Sequence, residues 1–556
     1  MKKIIVVGGG VIGWFTAAYM IKHHPEYKVC LIESPQVPIL GVGESTIPQL
    51  GDMLRALDVD EQKWTSGVHG IHKYGNMFVS WNSERPTPHV EDHWSAPKHH
   101  QQFYPFAFTF RDSAFKRCLY NPLLTEDLFF DNDGSYGVDH KSLDYLLALV
   151  RSGKYPWYDI TDYTAEQYPF VKNNKSIHDN DGVLMTGKWK SYAWHVDAER
   201  FPLIVRDQVA LPLGVEWIQD HIEQINKNEQ GCVTSLTTKS GNNISGDLFL
   251  DCTGFHRLLM RTMGTEWVSM SDKLPTQSAW VAPVKYNNVY EEMRPYTQSY
   301  AQANGWNFII TLYSRMGSGY IFDNRCEDND SARERFIRYW DSHEFIREPR
   351  LITWQQGYYK DAWVKNVVGM GMGQGFVDPM EANSIYVAQS CIEMLSKALK
   401  KYSNVDITDH TKRAFSRHTQ KLENQICDFI SYHFTLSRRR DSPMWRKWGE
   451  KGIQEGHAVK NWKEYRNPRG YLGRNIFLDY QWAQQQHYLD QWDNDLCKLN
   501  YKPELLELAD ITFNYIKQKS AALAKHAPHI YDWSRQHLYG GATSEEILQQ
   551  ALSERK

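Results

Sequence analysis

The chain has 556 residues, with 63 Lys and Arg against 66 Asp and Glu; this balance excludes a general field that would gather nucleic acid or anionic lipid. No apolar stretch approaches the roughly 20 residues that cross a bilayer, and eight cysteines without a CxxC pair argue against a disulfide framework or a metal site. The reducing cytoplasm is therefore the expected compartment, and the length suits two domains or one large domain with an appendage.

The start, MKKIIVVGGGVIGWFTAAYM, is broken by four glycines and predicts a strand and helix rather than a signal peptide. KIIVV at 3–7 is the strand, and Gly8-Gly9-Gly10-Val11-Ile12-Gly13 is the turn that opens the helix. A second strand, Val29–Ile32, ends in Glu33. This is GxGxxG with an acid about 20 positions on, in a strand–turn–helix–strand context. Gly8 makes the tight turn, Gly10 admits a pyrophosphate to the backbone, and Gly13 lets the helix close on the sheet. The helix N-terminus offers N–H groups to phosphate, and Glu33 accepts from ribose hydroxyls.

Further on, the regular βα units of a nicotinamide dehydrogenase do not follow. Gly41-Val42-Gly43-Glu44-Ser45-Thr46 is a second glycine turn with a carboxylate. Asp247–Gly254, DLFLDCTG, is a strand ending in a polar glycine turn, and a third glycine cluster spans 369–375. Glycine turns dispersed in this way resemble the FAD domain of the flavoprotein monooxygenase class. The expected fold is α/β and Rossmann-type with mixed sheets. No second GxGxxG is present for NAD(P)H, which points to a separate protein as the flavin reductase. Beyond residue 400 the glycine turns thin out and helical runs appear at 410–433, 503–526 and 543–555. Residues 1–400 are thus read as the FAD-binding core and 401–556 as a mainly helical region closing the substrate side. Its aromatics, among them Trp445, Trp448, Trp462 and Trp482, would choose the substrate. The basic run Arg438–Arg440 meets Asp441 at once and reads as a solvated face. The 20 Trp, 32 Tyr and 23 Phe suit a pocket for a flat, electron-rich ligand as well as an ordinary core.

Six motifs stand in one order: GxGxxG, GVGESTIP, HKYGNMFVSW, WHVDAERF, DLFLDCTGF and GQGFVDPMEANSI. That order resembles the flavin-dependent halogenases, the group that includes the tryptophan halogenases, over about residues 1–450. YHFTLSRRRDSPMW at 432–445 is similar as well. The departures from the family pattern suggest a divergent member, read here as phage-encoded although the composition carries no sign of origin. The resemblance implies that reduced FAD, delivered by a separate reductase, reacts with O2 and halide to give hypohalous acid. The acid then travels to a lysine that faces a small aromatic substrate of indole or phenol type. A homo-oligomer is left open.

By the same resemblance, Lys73 in IHKYGNMF is the essential lysine. Its ammonium polarises the hypohalous acid, or its amine forms a haloamine if burial lowers its pKa. Glu381 in DPMEANS is the active-site carboxylate that orients the lysine and takes the ring proton. DP-x-E is also an ordinary helix start with a favourable charge. Asn383 and Ser384, where the family carries Thr and Gly, would bind halide through backbone N–H groups. Such a site discriminates weakly, so bromide or iodide is expected to serve at least as well as chloride. Val42, Glu44, Val196, Met372 and Ile385 would lie beside the flavin. Phe103 and Phe106 are candidates for the substrate's aromatic sandwich, with ordinary packing as the alternative. The family signature Trp-x-Trp-x-Ile-Pro stands here as Trp306-Asn307-Phe308-Ile309-Ile310-Thr311, which also passes for a buried strand with Trp306, Phe308 and Ile310 on one face. Its erosion keeps an aromatic hydroxylase of the same fold open as an alternative, beside a non-catalytic FAD-fold binding protein.

Overall fold

The computed structural model describes residues 2–38, 41, 43–82, 94, 96, 100–105, 140–156, 160–186, 192–401, 407–466, 477, 481–482, 485 and 499–554. Val42 and Phe106 lie outside the described residues. The chain forms two compact units, each assembled from three separate segments. Unit 1 comprises Met1–Gly70, Trp194–Gln277 and Thr353–Cys427; unit 2 comprises Ile71–Ala193, Ser278–Ile352 and Asp428–Lys556.

Unit 1 is the Rossmann-type body. Its main sheet runs Trp363–Val364, Val367–Gly369, Leu248–Asp251, Lys3–Val7, Lys28–Glu33, Glu216–Gln219. The Lys3–Val7 strand pairs in parallel with both Leu248–Asp251 and Lys28–Glu33. These central strands are near-continuous apolar runs because a parallel sheet is covered on both faces. Ile5, Val7, Cys30, Ile32, Leu236, Phe249, Leu259 and Val367 share one core. Ile222, Val233 and Ile244 extend this core beneath an antiparallel three-stranded sheet that spans Ile222–Lys227, Val233–Thr238 and Asn243–Ser245. Each fully buried aliphatic side chain contributes about 1.5–3 kcal/mol.

Unit 2 is organised by a mixed sheet in which Ser278–Val284, Met316–Phe322, Gly305–Thr311, Thr297–Ala301, Gly75–Val79 and Gln101–Pro105 neighbour one another in that order. Thr297–Ala301 and Gly75–Val79 are parallel, and the other neighbours are antiparallel. The Gly305–Thr311 strand is buried on both faces: Asn307 and Ile309 are as inaccessible as Trp306. Trp306, Phe308 and Ile310 do alternate with them, opposite Ala301 and Ser299 in register. A Cβ at Gly319 would stand 2.5 Å from the Phe308 ring, so glycine on the neighbouring strand makes room for that aromatic.

The helical runs appear where their apolar spacing placed them, as Asp409–Thr435, Leu506–His526 and Ser544–Ser553. Thr543 and Glu546 close the last with a reciprocal capping box. Two further helices, Pro443–Gln454 and His457–Arg466, carry Trp445, Trp448 and Trp462. Among the described residues, no helix is long and apolar enough to cross a membrane.

Candidate functional site

In unit 1 the glycine turn is shaped by contacts that exclude side chains at three positions and leave one open. Gly8 has φ of +108°, and a Cβ there would lie 2.5 Å from the Cys252 carbonyl oxygen. A Cβ at Gly13 would stand 1.8 Å from the Gly8 carbonyl oxygen, and one at Gly9 would strike the Glu33 carboxylate. Around Gly10 nothing lies within 4 Å. That open face sits at the N-cap of the helix Val11–His23, which has neither a side-chain cap nor an acid in its first turn. Its N–H groups are therefore available to an anion. The Glu33 carboxyl folds over the turn and accepts a hydrogen bond from Trp217 Nε1 at 2.8 Å. Burial raises its pKa, and the Trp217 bond and Arg206 oppose the rise. An open backbone approach beside a carboxylate is what the pyrophosphate and ribose of FAD require, and these residues fit that group.

The DCTG turn and the glycine cluster at 369–375 lie against the same turn. Asp251, fully buried at the end of Leu248–Asp251, accepts from the backbone N–H groups of Leu259 and Met260, each at 2.8 Å, and from the Thr253 hydroxyl at 2.6 Å. This carboxylate ties the DCTG turn into one shape. A Cβ at Gly373 would lie 2.2 Å from the Asp251 carbonyl oxygen, and one at Gly371 would lie 3.2 Å from Ile12 on the nucleotide helix. Met372 thus stands between the DCTG turn and that helix, and its carbonyl accepts from Arg257 Nε at 3.4 Å. Glu44 pairs with Val196 across two short strands. The surrounding protein pushes its carboxyl pKa up to about 7.

Glu381, buried, ends a short 3-10 turn, Pro379–Glu381, that Asp378 caps by accepting from the Met380 N–H at 3.0 Å. It is not in the first turn of the following helix. Ala382 intervenes in the left-handed conformation, with φ of +56°, which costs roughly 1–2 kcal/mol for a residue with a Cβ. The helix then begins at Ser384, and Val387 N–H donates to the Asn383 carbonyl. Strain stored between the carboxylate and the helix start is a device seen at functional sites. A narrow cleft here is lined by Met372, Gly375, Asp378, Asn383, Ser384 and Glu423 among others. It leaves about 10 Å³ for a water-sized sphere, room for about one small species. The Asn383 Nδ2 is buried there without a hydrogen-bond partner.

In unit 2, Lys73 ends the strand Ile71–Lys73 with its side chain wholly buried. Its neighbour Tyr74 is equally buried, and the Tyr74 hydroxyl accepts from Ile177 N–H at 3.2 Å. His72 stacks among His178, Tyr192 and Trp533. A Cβ at Gly75 would lie 2.3 Å from the Tyr104 carbonyl oxygen, so glycine lets the Gln101–Pro105 strand close on the lysine's own chain. Phe103 is buried, stacked on Tyr168 with ring centres 5.4 Å apart. On the other face of the sheet the Phe78 ring stacks on His433 at 4.6 Å, and Tyr104 and Trp81 meet the same imidazole. His433 Nδ1 lies 2.7 Å from Gln485 Nε2 and 3.2 Å from the Phe429 carbonyl oxygen. Burial depresses this histidine's pKa to about 3, so it is a neutral aromatic.

Sequence reasoning singled out the glycines, Lys73, Glu381 and the residues after it as candidates, but did not single out Asp251, Arg257, Glu423 or His433. Asp251 was visible within DCTG; the others carry no local pattern.

With this geometry in place, comparison with known proteins is specific. A sequence model of the family described as tryptophan halogenase matches residues 3–121 and 125–486. The tryptophan 6-halogenase ThaL of Streptomyces albogriseolus is 27% identical over 98% of this chain and 99% of its own length. The tryptophan 7-halogenase RebH of Lentzea aerocolonigenes is 26% identical over 96% and 98%. Among solved structures, a tryptophan halogenase from Shewanella frigidimarina superposes with a TM-score of 0.79 at 23% identity, covering 98% of this chain and 99% of that one. That last likeness speaks to the fold.

Proposed function

The chain belongs to the tryptophan halogenase family, and on that premise we propose that Lys73 presents oxidised halogen to the aromatic substrate while Glu381 takes the ring proton. As a flavin-dependent halogenase it uses FADH2 from a separate reductase, dioxygen and halide, and acts on a small aromatic. A hydroxylase or a non-catalytic binding protein is not favoured by this membership. Bound FADH2 supplies, with O2, the oxidising equivalents that turn halide into hypohalous acid.

The residues then have these tasks. Gly10 and the helix N-terminus hold the pyrophosphate, and Glu33 accepts from the ribose. Glu44, Val196, Met372 and Ile385 flank the cofactor. Lys73 Nζ donates to the oxygen of the hypohalous acid and polarises the oxygen–halogen bond. The ring π electrons form the carbon–halogen bond as that bond breaks, and the departing hydroxide takes a proton from the Lys73 ammonium and leaves as water. Glu381 accepts the proton from the substituted carbon, whose C–H electrons return to the ring. Asn383 and Ser384 hold the halide, supported by the free Asn383 amide in a cleft with room for about one small species. The helical region from residue 401 shapes the substrate side, supported by His433 stacking on Phe78. A cytoplasmic location follows from cysteine usage.

One observation carries the reading. Lys73 is fully buried at the end of the strand Ile71–Lys73, beside the equally buried Tyr74, in the motif that carries the family resemblance. The test is product mass spectrometry on indoles and phenols with FAD, a flavin reductase, NADH and each halide. Lys73→Ala is expected to lower halogenated product by about 10²–10⁴-fold while a scavenger still reports hypohalous acid. A Lys73→Ala protein that halogenates normally overturns the assignment.

A further inference from the structure

The cleft at the helix start contains an acid that the roles above leave unused. Glu423 projects from the helix Asp409–Thr435, is buried, and lines the cleft with Asn383 and Ser384. Its position is fixed by a missing side chain: a Cβ at Gly375 would stand 2.8 Å from Glu423 Oε1. Glycine in GQGF therefore does more than turn the chain, since it leaves the space that this carboxyl fills. Among the described residues Glu423 forms no ion pair.

The groups around it favour the neutral acid. Arg257, from the turn after Leu248–Asp251, is the one charge acting to ionise it. That guanidinium is committed elsewhere, stacked 3.8 Å over Trp267 and donating to the Met372 and Gln355 carbonyls. Asp378, in the same cleft, has both oxygens engaged, by Met380 N–H and by the Thr276 hydroxyl. Cys391, from the helix Ser384–Lys401, is a thiol pushed up by burial and by Glu423 itself. Tyr358, which packs over Gly375, accepts from the Asn424 amide. Burial outweighs Arg257 and pushes the Glu423 carboxyl up to about 8, so at neutral pH it carries a proton.

We propose that Glu423 is a further residue of the halide cleft: as an acid it donates a hydrogen bond to the anion beside the Asn383 amide, and as a carboxylate it expels the anion. The proposal rests on the assignment of Asn383 and Ser384 to halide. Glu423 and Asn383 line one cleft with room for about one small species, and a single proton on Glu423 decides whether an anion there meets a donor or a repelling charge. Halide binding then falls as pH rises through about 8, losing tenfold per unit above it.

The experiment is a bromide titration of the full chain at constant ionic strength, balanced with acetate, following the melting temperature from pH 6.5 to 9.5. The bromide KM of halogenation is measured in parallel. In the unaltered protein the half-saturating bromide concentration is expected to rise more than tenfold across this range. Glu423→Gln, which keeps the shape and an N–H donor, is expected to hold the low-pH value throughout. A flat profile in the unaltered protein, or an unchanged slope in Glu423→Gln, overturns the proposal. Asn383→Leu separates the two assignments. If it weakens bromide at every pH while Glu423→Gln keeps the slope, the halide cleft stands and the role of Glu423 falls. If it leaves bromide binding untouched, both fall.

Discussion

The nucleotide turn of unit 1 and the aromatic sheet of unit 2 are made by opposite means. In unit 1, backbone fits against backbone: Gly8 on the Cys252 carbonyl, Gly13 on the Gly8 carbonyl, Gly373 on the Asp251 carbonyl. In unit 2, large side chains fill the space between strands and helices: Phe78 on His433, Phe103 on Tyr168, Phe429 on Phe477. The first kind of construction fixes where polar N–H groups point and tolerates no substitution at its glycines. The second sets the volume and aromatic character of a region, and tolerates exchange of rings of similar size.

The sharpest test of that contrast is a pair of glycine substitutions. Gly13→Ala places a Cβ 1.8 Å from a carbonyl oxygen, and is expected to cost more than about 4 kcal/mol or prevent folding. Gly10→Val enters open space, so the melting temperature is expected to hold within a few degrees while FAD binding, followed by fluorescence quenching, is lost. Equal damage from both would break the distinction between a structural and a ligand-facing glycine.

On the unit 2 side, His433 makes stability depend on acid. Its folded pKa of about 3 lies below the ordinary 6.5, so the unfolded chain binds the proton first. The stability it contributes is complete above about pH 6.5 and is lost as pH falls toward 3, on the order of 4 kcal/mol in all. His433→Phe keeps the stack on Phe78 and cannot take a proton. Its melting temperature is expected to fall less between pH 6.5 and 4 than that of the unaltered protein. Parallel curves would show that the imidazole is not the acid-sensitive element.

Two smaller effects concern the helix start. Ala382→Gly relieves a left-handed residue and is expected to stabilise by about 1 kcal/mol, read as a higher melting temperature. It should also lower turnover, because Glu381 loses its fixed direction. A stabilised variant with full activity would mean that the strain serves no purpose. Last, in a mixture of equal bromide and chloride, brominated product is expected to equal or exceed chlorinated product by mass spectrometry. Dominant chlorination would mean that the cleft selects by size after all.

The same contrast explains what the sequence made legible. Gly8, Gly10, Gly13 and Glu33 act within one strand–turn–helix–strand unit, so their spacing is the geometry. The long helices were legible because their apolar period is local. Glu381 and Asn383 were recognisable from DPMEANS, yet the left-handed Ala382 between them was not, since alanine gives no sign of positive φ. Glu423 and His433 sit in an ordinary amphipathic helix. Their meaning comes from Gly375 and Phe78, which no sequence interval connects to them. The Trp306 strand passed for an alternating one; its burial depends on residues far off in sequence, such as Trp81, whose ring meets Trp306.

That segmentation has a consequence for how the protein is made. Unit 1 needs residues 353–427 and unit 2 needs residues 428–556, so neither is complete until most of the chain has left the ribosome. The strand Lys3–Val7 must wait for Leu248–Asp251 to pair along one edge. Such long waits are slow to resolve and leave apolar strand edges exposed meanwhile. Yield in a host cell should therefore respond to growth temperature and chaperone supply more strongly than the melting temperature of the finished protein would suggest.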